Sequence, residues 1–311
     1  MSQVAILLAT YNGAAYLREL LDSLENQTRV NFRVWIHDDG SRDETIDIIN
    51  EYCNRAPDRY ALVDGPKGLG SKRSFLYLLE QVEADYYFFC DQDDVWLPDK
   101  VQTLLDALVG HSLGDERPLA AFCDMKVVDG KLNVLCESFL DYMGRSGTQT
   151  RFSQILIDNP AAGCSMAFNR ALRDRCLPLP DADNIEMHDA WVMMMAAVYG
   201  EICFVPSPLV LYRQHGDNVL GAATESRLQK VLRNIEGFLS GSLARQKRNF
   251  FATSRRLAAE VLTREDIPDE VRRVLEGYLD LEKHSRRYRI RFCKDNQINR
   301  AHHSLWMWLW I

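Results

Sequence analysis

One short stretch, residues 86–96, limits most strongly what this chain can fold into. The apolar run Tyr86–Cys90 is typical of a buried strand, and the acidic run Asp91–Asp94 follows it directly. Burying three unpaired carboxylates would be prohibitively costly, so they must face water, a cation or both. Ligands of open α/β sheets bind just beyond the carboxyl ends of strands, where an Asp-x-Asp suits a hard divalent cation. A solvated acidic turn before a helix that begins near Pro98 is the alternative.

Charge is distributed unevenly along the 311 residues, whose length allows one large domain or two small ones. The net charge of −7 argues against a general nucleic-acid-binding protein. Residues 225–311 contain 18 Lys and Arg against 11 Asp and Glu, a net of +7 that leaves −14 for residues 1–224. This asymmetry predicts an acidic catalytic domain in residues 1–224 and a basic helical extension in residues 225–311.

Cysteine usage and hydropathy both indicate a cytoplasmic protein. The eight cysteines are scattered without a Cys-x-x-Cys pair, which predicts reduced core residues. The opening run Val4–Leu8 is too short for a signal peptide and lacks a basic lead, so we expect no secretion signal. No apolar run approaches the ~18 residues of a membrane span, and the longest, Trp191–Tyr199, predicts a buried helix.

Short apolar runs alternate with helical periodicities in the first third of the chain. We predict strands at Val4–Leu8, Phe32–His37 and Tyr60–Val63 and from Tyr86 onward, with helices between them. This alternation predicts an α/β fold with a mostly parallel central sheet flanked by helices on both faces. Such an architecture is common among nucleotide-binding proteins, although a fold alone does not give a function.

Polar segments follow the first two predicted strands as well as the fourth. Thr10-Tyr11-Asn12 follows the first strand and Asp38-Asp39 the second, so in a parallel sheet they share an edge with Asp91–Asp94. Two adjacent acids at this edge repel each other unless a ligand or cation uses them, whereas Asp43 is predicted to cap the next helix. The glycine-rich segment 65–72 has Ser-Lys where a P-loop needs Lys-Ser, so we interpret it as a turn before the third helix.

The order of these motifs resembles that of the inverting glycosyltransferases of family 2, the large group with the GT-A fold, over roughly residues 3 to 220. The run Cys90–Lys100 is similar to that of the rhamnosyltransferase-like members, which build bacterial surface polysaccharides such as lipopolysaccharide O-antigen. The resemblance implies a GT-A nucleotide-diphospho-sugar transferase fold with a C-terminal helical extension. It also implies a hexosyltransferase-type enzyme that inverts the transferred sugar and requires Mn²⁺ or Mg²⁺. The implied donor is dTDP-rhamnose or a UDP-sugar, and the implied acceptor is a lipid-linked saccharide.

The resemblance further assigns roles to individual residues. Tyr11 would stack on the nucleotide base, Asp39 would accept a hydrogen bond from a pyrimidine ring, and Asp93 would bind the metal. His215 would complete the metal shell or merely form a hydrogen bond. The remaining nucleotide-binding residues would be Thr10, Asn12, Asp38, Asp91 and Gln92. The donor and acceptor pocket would be lined by Ala162, Gly163, His188, Trp191 and Arg213.

Asp189 stands where the family has its general base, at the start of a strongly apolar helix. An acid at this place is most often a helix cap, and the family motif is usually Glu-Asp where this chain has His188-Asp189. Inverting transfer needs one base for the acceptor hydroxyl, whereas a retaining double displacement would need a second carboxylate as nucleophile. The resemblance therefore implies that Asp189 is the catalytic base.

The end of the chain combines a basic run, from Lys283 to Lys294, with the tryptophans Trp306, Trp308 and Trp310. Tryptophans beside cationic residues suit a membrane interface, which predicts peripheral binding at the cytoplasmic face of the inner membrane. Docking of this tail on the protein itself or in a homodimer is the alternative. Two other functions also stay open, a metal-dependent sugar-phosphate nucleotidyltransferase and a non-catalytic nucleotide-sugar-binding protein. The first of them is disfavoured because the first strand does not end in a glycine-rich signature.

Overall fold

The computed structural model describes residues 3–111, 117–214 and 242–300, without the side chains of residues 242–250. Nine strands within these ranges form one sheet. They are β1 (Val4–Thr10), β2 (Arg33–Asp38), β3 (Tyr60–Leu62), β4 (Tyr86–Asp91), β5 (Val95–Trp96), β6 (Leu119–Val128), β7 (Val134–Cys136), β8 (Met166–Asn169) and β9 (Glu201–Arg213). Their spatial order is β3-β2-β1-β4-β8-β6-β9-β5, and β7 pairs with β6 outside this path.

Helices cover both faces of the sheet. They are α1 (Ala14–Glu25), α2 (Thr45–Arg55), α3 (Gly70–Gln81), α4 (Lys100–His111), α5 (Phe139–Met143), α6 (Phe152–Ile155), α7 (Arg170–Cys176), α8 (His188–Tyr199), α9 (Ser242–Leu262), α10 (Asp269–Leu279) and α11 (Arg286–Asp295). Short 3₁₀ turns occupy Gly163–Ser165 and Leu281–Lys283. The predicted α/β architecture, a central sheet flanked by helices, is therefore confirmed.

The first half of the sheet is parallel, as the alternation of strands and helices predicts. β1 pairs in parallel with β2 and with β4, and β2 pairs in parallel with β3. Successive residues of β1 point into the two different cores, Ile6 and Leu8 into one and Leu7 into the other. The polar segments after β1, β2 and β4 consequently meet at one edge of the sheet.

The second half makes the sheet mixed rather than mostly parallel. β8 is antiparallel to both β4 and β6, β9 is parallel to β6, and β5 is antiparallel to β9. Because Phe88 of β4 pairs with Ala167 of β8, the start of β8 lies beside the end of β4. This reversed direction brings the turn Gly163–Ser165 to the edge where the acidic run begins.

The C-terminal helices bury their apolar faces in one of the two cores beside the sheet. Leu257 and Val261 of α9 and Leu275 of α10 belong to the hydrophobic cluster that contains Trp191 of α8. Burial of each such side chain contributes ~1.5–3 kcal/mol. Arg264 also donates a hydrogen bond to the carbonyl of Leu177, at 2.7 Å. Helices 242–300 are thus packed on the domain, whereas the predicted boundary at residues 224 and 225 lies outside the described residues.

All eight cysteines are free thiols, as their scattered positions predict. Within the described ranges, every helix is too short or too polar to cross a bilayer. The tryptophan-rich tail at residues 301–311 lies outside the described residues.

Candidate active site

Asp38 organises the edge where β1 and β2 end. The pairing of these strands places Thr10 beside Asp38, and the Thr10 hydroxyl donates to the Asp38 carboxylate at 3.0 Å. The backbone amides of Gly40 and Ser41 donate to its other oxygen at 3.0 and 2.9 Å. Burial alone would raise the pKa of Asp38, but these hydrogen bonds outweigh it and hold the pKa below its usual value. Asp38 is therefore ionised and holds the turn together.

Asp39, the next residue, caps helix α3. Its two carboxylate oxygens accept hydrogen bonds from the backbone amides of Leu69 and Gly70, at 2.7 and 2.8 Å. The chain can present these amides because Gly68 and Gly70 have positive φ angles of 76° and 74°. This contact explains the glycine-rich turn that resembles a P-loop. Each carboxylate oxygen has a second lone pair, so Asp39 keeps the capacity to accept a hydrogen bond from a ligand.

The loop after β1 is tied to the acidic run by Gln92. Its side-chain amide accepts a hydrogen bond from the backbone N–H of Tyr11 at 2.8 Å and donates to the Tyr11 carbonyl at 3.0 Å. Asn12, whose φ is +47°, accepts a hydrogen bond from the backbone amide of Arg42 at 2.8 Å. The Tyr11 side chain, 53% exposed, is left open on the surface where a planar base could stack.

Asp91 and Asp94 form an acidic cluster with Cys164 at the end of β4, and their ligand atoms lie within 4.8 Å of one another. The Asp94 carboxylate is buried and accepts the backbone N–H of Arg213 at 3.1 Å. The Cys164 thiol also donates a hydrogen bond to the Asp94 carboxylate. Burial, followed by repulsion from neighbouring carboxylates, raises the pKa of Asp91 to about 7 and that of Asp94 well above its usual value.

These residues fit a divalent cation. Carboxylate oxygens are the ligands that Mg²⁺ and Mn²⁺ prefer, and a cation would relieve the repulsion that raises both pKa values. Asp93 lies between the two acids in the sequence and is partly exposed, so the chain can present it to a ligand. Cys164 does not stand out in the sequence as a ligand, because only the antiparallel direction of β8 brings it to this edge. The predicted ligand His215 lies outside the described residues.

Arg213 does not line a pocket, which corrects the sequence-based prediction. Its side chain is 1% exposed. The guanidinium donates to the carbonyls of Asp93 and Gly130, at 2.8 and 2.7 Å. It also pairs with the Glu19 carboxylate and lies 4.6 Å from the ring centroid of Tyr16. These contacts engage its donors inside the protein, so Arg213 positions the acidic turn instead of contacting a substrate.

Asp189 lies in the first turn of helix α8, at the same edge of the sheet. Its carboxylate accepts the backbone N–H of Ala190 at 2.6 Å, and the backbone N–H of Gly163 also donates to it. Burial raises the pKa of Asp189 to about 6, opposed by these hydrogen bonds and the charge of Arg145 and reinforced by Glu186. A carboxylate with this pKa suits a general base near neutral pH.

The negative charge of Asp189 repels that of Asp91 and so helps to raise the pKa of the Asp91 carboxyl group. The predicted base and the first acid of the Asp-x-Asp motif are therefore close in space, although 98 positions separate them in the sequence. This proximity depends on α8 starting at the edge where β4 ends.

The His188 ring packs in the core beside the backbone of Gly163. Its ring stacks on Phe75 with centroids 4.1 Å apart and meets Phe89 edge-on at 4.6 Å. Neither ring nitrogen has a hydrogen-bond partner among the described residues, and burial lowers the pKa of His188 to about 3, so the ring is neutral. A Cβ at Gly163 would lie 2.6 Å from Nε2 of His188. Glycine is therefore required for the backbone to pass this ring and reach Asp189.

Two other residues predicted for the pocket are buried. The Trp191 indole is fully buried and donates to the carbonyl of Cys176 at 3.1 Å, so it lies in the core and does not line the pocket. Ala162 precedes the 3₁₀ turn, and its carbonyl accepts a hydrogen bond from the Ser165 hydroxyl at 2.8 Å. Ala162 thus shapes the backbone at the edge of the site.

Comparisons with known proteins agree with this geometry. Residues 5–124 match the family described as glycosyl transferase family 2. The dTDP-rhamnosyl transferase RfbG of Shigella flexneri is 26% identical, over 69% of this chain and 74% of that protein. An uncharacterized glycosyltransferase of Haemophilus influenzae is 30% identical over 51% of this chain and 63% of its own length.

Solved structures show the same fold. S. aureus TarS 1–349 in complex with UDP-GlcNAc has a TM-score of 0.59 at 18% identity, covering 89% of this chain and 72% of TarS 1–349. The mannosyltransferase PcManGT of Pyrobaculum calidifontis, in complex with GDP-Man and Mn²⁺, has a TM-score of 0.54 at 17% identity. The match covers 90% of this chain and 69% of the PcManGT chain. At such identities these likenesses concern the fold, whereas the family match and the relatives concern the activity. Residues 5–124 are therefore a glycosyl transferase family 2 domain, and the described residues have a GT-A-like fold.

Proposed function

We propose that this glycosyltransferase uses a nucleotide-sugar donor and a divalent cation to glycosylate a saccharide acceptor with inversion of the anomeric carbon. The observation that carries the proposal is the convergence of three groups at one edge of the sheet. The exposed Tyr11 ring, the acids Asp91 and Asp93, and the base candidate Asp189 all lie there.

Each group has a part in the proposed reaction. Tyr11 stacks on the base, and Asp39 accepts a hydrogen bond from its ring N–H. Asp91 and Asp93 would hold the cation, which would supply positive charge to neutralise the leaving diphosphate. Asp189 takes the proton of the acceptor hydroxyl while the bond from the anomeric carbon to the diphosphate breaks and the new glycosidic bond forms. One base is sufficient for such a single displacement.

The first donor to test is dTDP-rhamnose, because the relative from Shigella flexneri is named a dTDP-rhamnosyl transferase. A UDP-sugar is the second, since the TarS structure contains UDP-GlcNAc. The acceptor proposed is a lipid-linked saccharide of bacterial surface polysaccharide synthesis, such as that of O-antigen. A non-catalytic nucleotide-sugar-binding protein would bind the same donors without turnover.

We expect nucleoside diphosphate binding to require a divalent cation and Asp93. At ~100 times its dissociation constant, the diphosphate stabilises the native state by roughly 2.7 kcal/mol, which is readily seen as a rise in Tm. A chelator or Asp93→Ala should abolish this rise, because the cation is then no longer held against the phosphates. The measurement is a thermal-shift titration with dTDP, UDP and GDP in Mn²⁺ or Mg²⁺.

Asp99→Ala is the matched control, because Asp99 is an exposed acid just beyond the motif. It should keep the full ligand-induced rise in Tm. An undiminished rise in the presence of chelator would contradict the metal requirement.

We also propose that the enzyme binds peripherally at the cytoplasmic face of the inner membrane. Helix α11 supports this, since Arg286, Arg287, Arg291 and Lys294 are exposed on it. Each basic residue near an anionic surface contributes ~1 kcal/mol at low ionic strength. Deleting residues 301–311 should reduce co-sedimentation with liposomes of anionic phospholipid, and high salt should do the same. An intact chain that never binds these liposomes at low salt would make the tail an internal contact or a homodimer contact.

A further inference from the structure

A buried carboxylate, that of Asp158, joins two arginines that lie far apart in the sequence. Arg145 donates from Nε to one carboxylate oxygen at 3.1 Å, and its Nη2 lies 3.0 Å from the same oxygen. Arg300 donates from Nε to the other oxygen at 2.7 Å. The Asp158 side chain is 6% exposed and that of Arg145 is 16% exposed. Two guanidinium groups on one carboxylate leave a surplus of one positive charge, which is costly to shield from water unless a further negative group faces it.

Residues 297–300 bring Arg300 to this carboxylate. Ile298 is fully buried in the hydrophobic core that also contains residues of α6 and α8. The Ser153 hydroxyl, at the start of α6, donates to the carbonyl of Gln297 at 3.4 Å. The end of the described C-terminal region is therefore held on the segment around α6, and Arg300 reaches the buried carboxylate from a fixed backbone.

The negative group that faces the surplus charge is the carboxylate of Asp189. Helix α6 packs against α8, and the backbone N–H of Asp158 donates to the carbonyl of Gln154 at 2.9 Å, so Asp158 extends the turn that ends α6. Further along the same segment, the backbone N–H of Gly163 donates to Asp189. Burial has the largest effect on the pKa of Asp189 and raises it, whereas the charge of Arg145 lowers it.

Arg145 offsets the acidic groups around the base candidate. Glu186 also raises the pKa of Asp189, and the charges of Asp189 and Asp91 repel each other. The backbone of Arg145 is fixed as well, because its N–H donates to the carbonyl of Leu140 at 2.8 Å. A general base must keep both its charge and its direction, and a guanidinium held at backbone and side chain can supply a constant opposing charge.

We infer that Arg145 is a positioning residue for Asp189 and that residues 297–300 hold Arg145 in place through Asp158. The guanidinium of Arg145 offsets the neighbouring negative charges and so keeps the Asp189 carboxylate charged. The C-terminal region lies outside the family match at residues 5–124, and through Arg300 it contributes to the candidate active site. The effect on turnover rests on the proposed function, whereas the charge interaction itself can be measured without any substrate.

A double-mutant cycle on the full chain tests the charge interaction. Arg145→Met is made in the wild type and in Asp189→Asn, and the midpoint of urea denaturation is measured for all four proteins at a pH of about 8, above the pKa of Asp189. Arg145→Met should lower the midpoint more in the wild type, because Asp189→Asn leaves no charge for Arg145 to offset. A side chain that only packs, or only pairs with Asp158, would lower the midpoint equally in both backgrounds.

Three further variants in the same two backgrounds make the cycle specific. Arg145→Lys keeps the charge and should show most of the wild-type coupling to Asp189. Arg300→Met should weaken this coupling, because Asp158 is then held from one side only. Arg170→Met is the matched control, since Arg170 is an exposed arginine that pairs with Asp85, and it should lower the midpoint by the same amount in both backgrounds.

Turnover gives the second readout, with dTDP-rhamnose, UDP-GlcNAc or GDP-mannose as donor and Mg²⁺ as cation. Arg145→Met should lower kcat about tenfold, a small part of the ~10²–10⁴ that a general base contributes. The KM for the donor and the rise in Tm with nucleoside diphosphate should stay unchanged, and Arg145→Lys should restore most of kcat.

Each outcome decides a separate part of the inference. Equal losses of stability from Arg145→Met in the two backgrounds would overturn the interaction with Asp189, and a normal kcat in Arg145→Met would overturn the positioning role. Undiminished coupling in Arg300→Met would overturn the part assigned to residues 297–300. A wild type that neither responds to nucleoside diphosphate nor consumes a donor would overturn the proposed function, while the cycle would still decide the charge interaction.

Discussion

Asp189→Asn lowers turnover by a factor on the order of 10² to 10⁴, because the variant keeps the shape of the side chain and loses its basicity. Asparagine can still accept the backbone N–H of Ala190, and it is as good a helix cap as aspartate. The fold and the affinity for nucleoside diphosphate should therefore stay nearly unchanged. Turnover is measured as diphosphate released with donor, cation and acceptor present.

The pH dependence of turnover gives a second comparison between the wild type and Asp189→Asn. Burial raises the pKa of Asp189 to about 6, and a base acts only when deprotonated. Activity should therefore rise as the pH passes upward through about 6 and fall below it, and the Asn variant should lack this acidic limb. Asp183→Asn is the control, since Asp183 is an exposed acid paired with Arg73 and should leave turnover unchanged. Near-normal turnover in Asp189→Asn would make Asp189 a helix cap only.

Arg213→Met should lower the free energy of unfolding by ~3–5 kcal/mol, the range for breaking a buried charged pair. Methionine approximates the length of the side chain but leaves the carbonyls of Asp93 and Gly130 without their donor. The loss should fall at the lower end of the range, because Glu19 is 55% exposed and can be hydrated. The measurement is urea denaturation, read as a shift in the midpoint at constant slope.

Arg18→Met is the matched control for this loss. Arg18 pairs with Glu51 on the surface, where both side chains are about half exposed, and water and salt screen such a pair so that it contributes little to stability. The Arg213 variant should also need more Mn²⁺ to produce the diphosphate-induced rise in Tm, because Asp93 loses its anchor. Equal stability losses in the two variants would contradict the positioning role of Arg213.

The edge of the sheet that carries the site could be predicted from the sequence, because local patterns determine it. Apolar runs that end in Thr10, Asp38 and Asp91 mark strand ends, and parallel strands bring their ends together. Asp43, predicted to cap the next helix, is not its N-cap, because Glu44 occupies that position of α2. The Asp43 carboxylate instead joins two helix starts, since it accepts the backbone N–H of Thr45 in α2 and of Ala14 in α1, each at 3.1 Å.

Contacts between distant segments could not be predicted in this way. The direction of β8 depends on which edge its connection leaves from, so the meeting of Cys164 with Asp91 has no signature in either segment. From its position at the end of a predicted strand, Arg213 was expected to line the pocket. In the structure its backbone N–H donates to Asp94 and its guanidinium pairs with Glu19. Side-chain direction at a strand end depends on long-range pairing, which a local pattern does not contain.

The central claim is that Asp189 supports a single displacement on a nucleotide-sugar. It is tested most directly by following the anomeric proton by NMR while the enzyme consumes dTDP-rhamnose, UDP-GlcNAc or GDP-mannose with the diamagnetic cation Mg²⁺ and a saccharide acceptor. We expect the wild type to convert one donor to nucleoside diphosphate and a glycoside of opposite anomeric configuration, and Asp189→Asn to bind that donor with turnover reduced at least 10²-fold. A glycoside of retained configuration, pyrophosphate release from a nucleoside triphosphate, or donor binding without turnover by the wild type would contradict it.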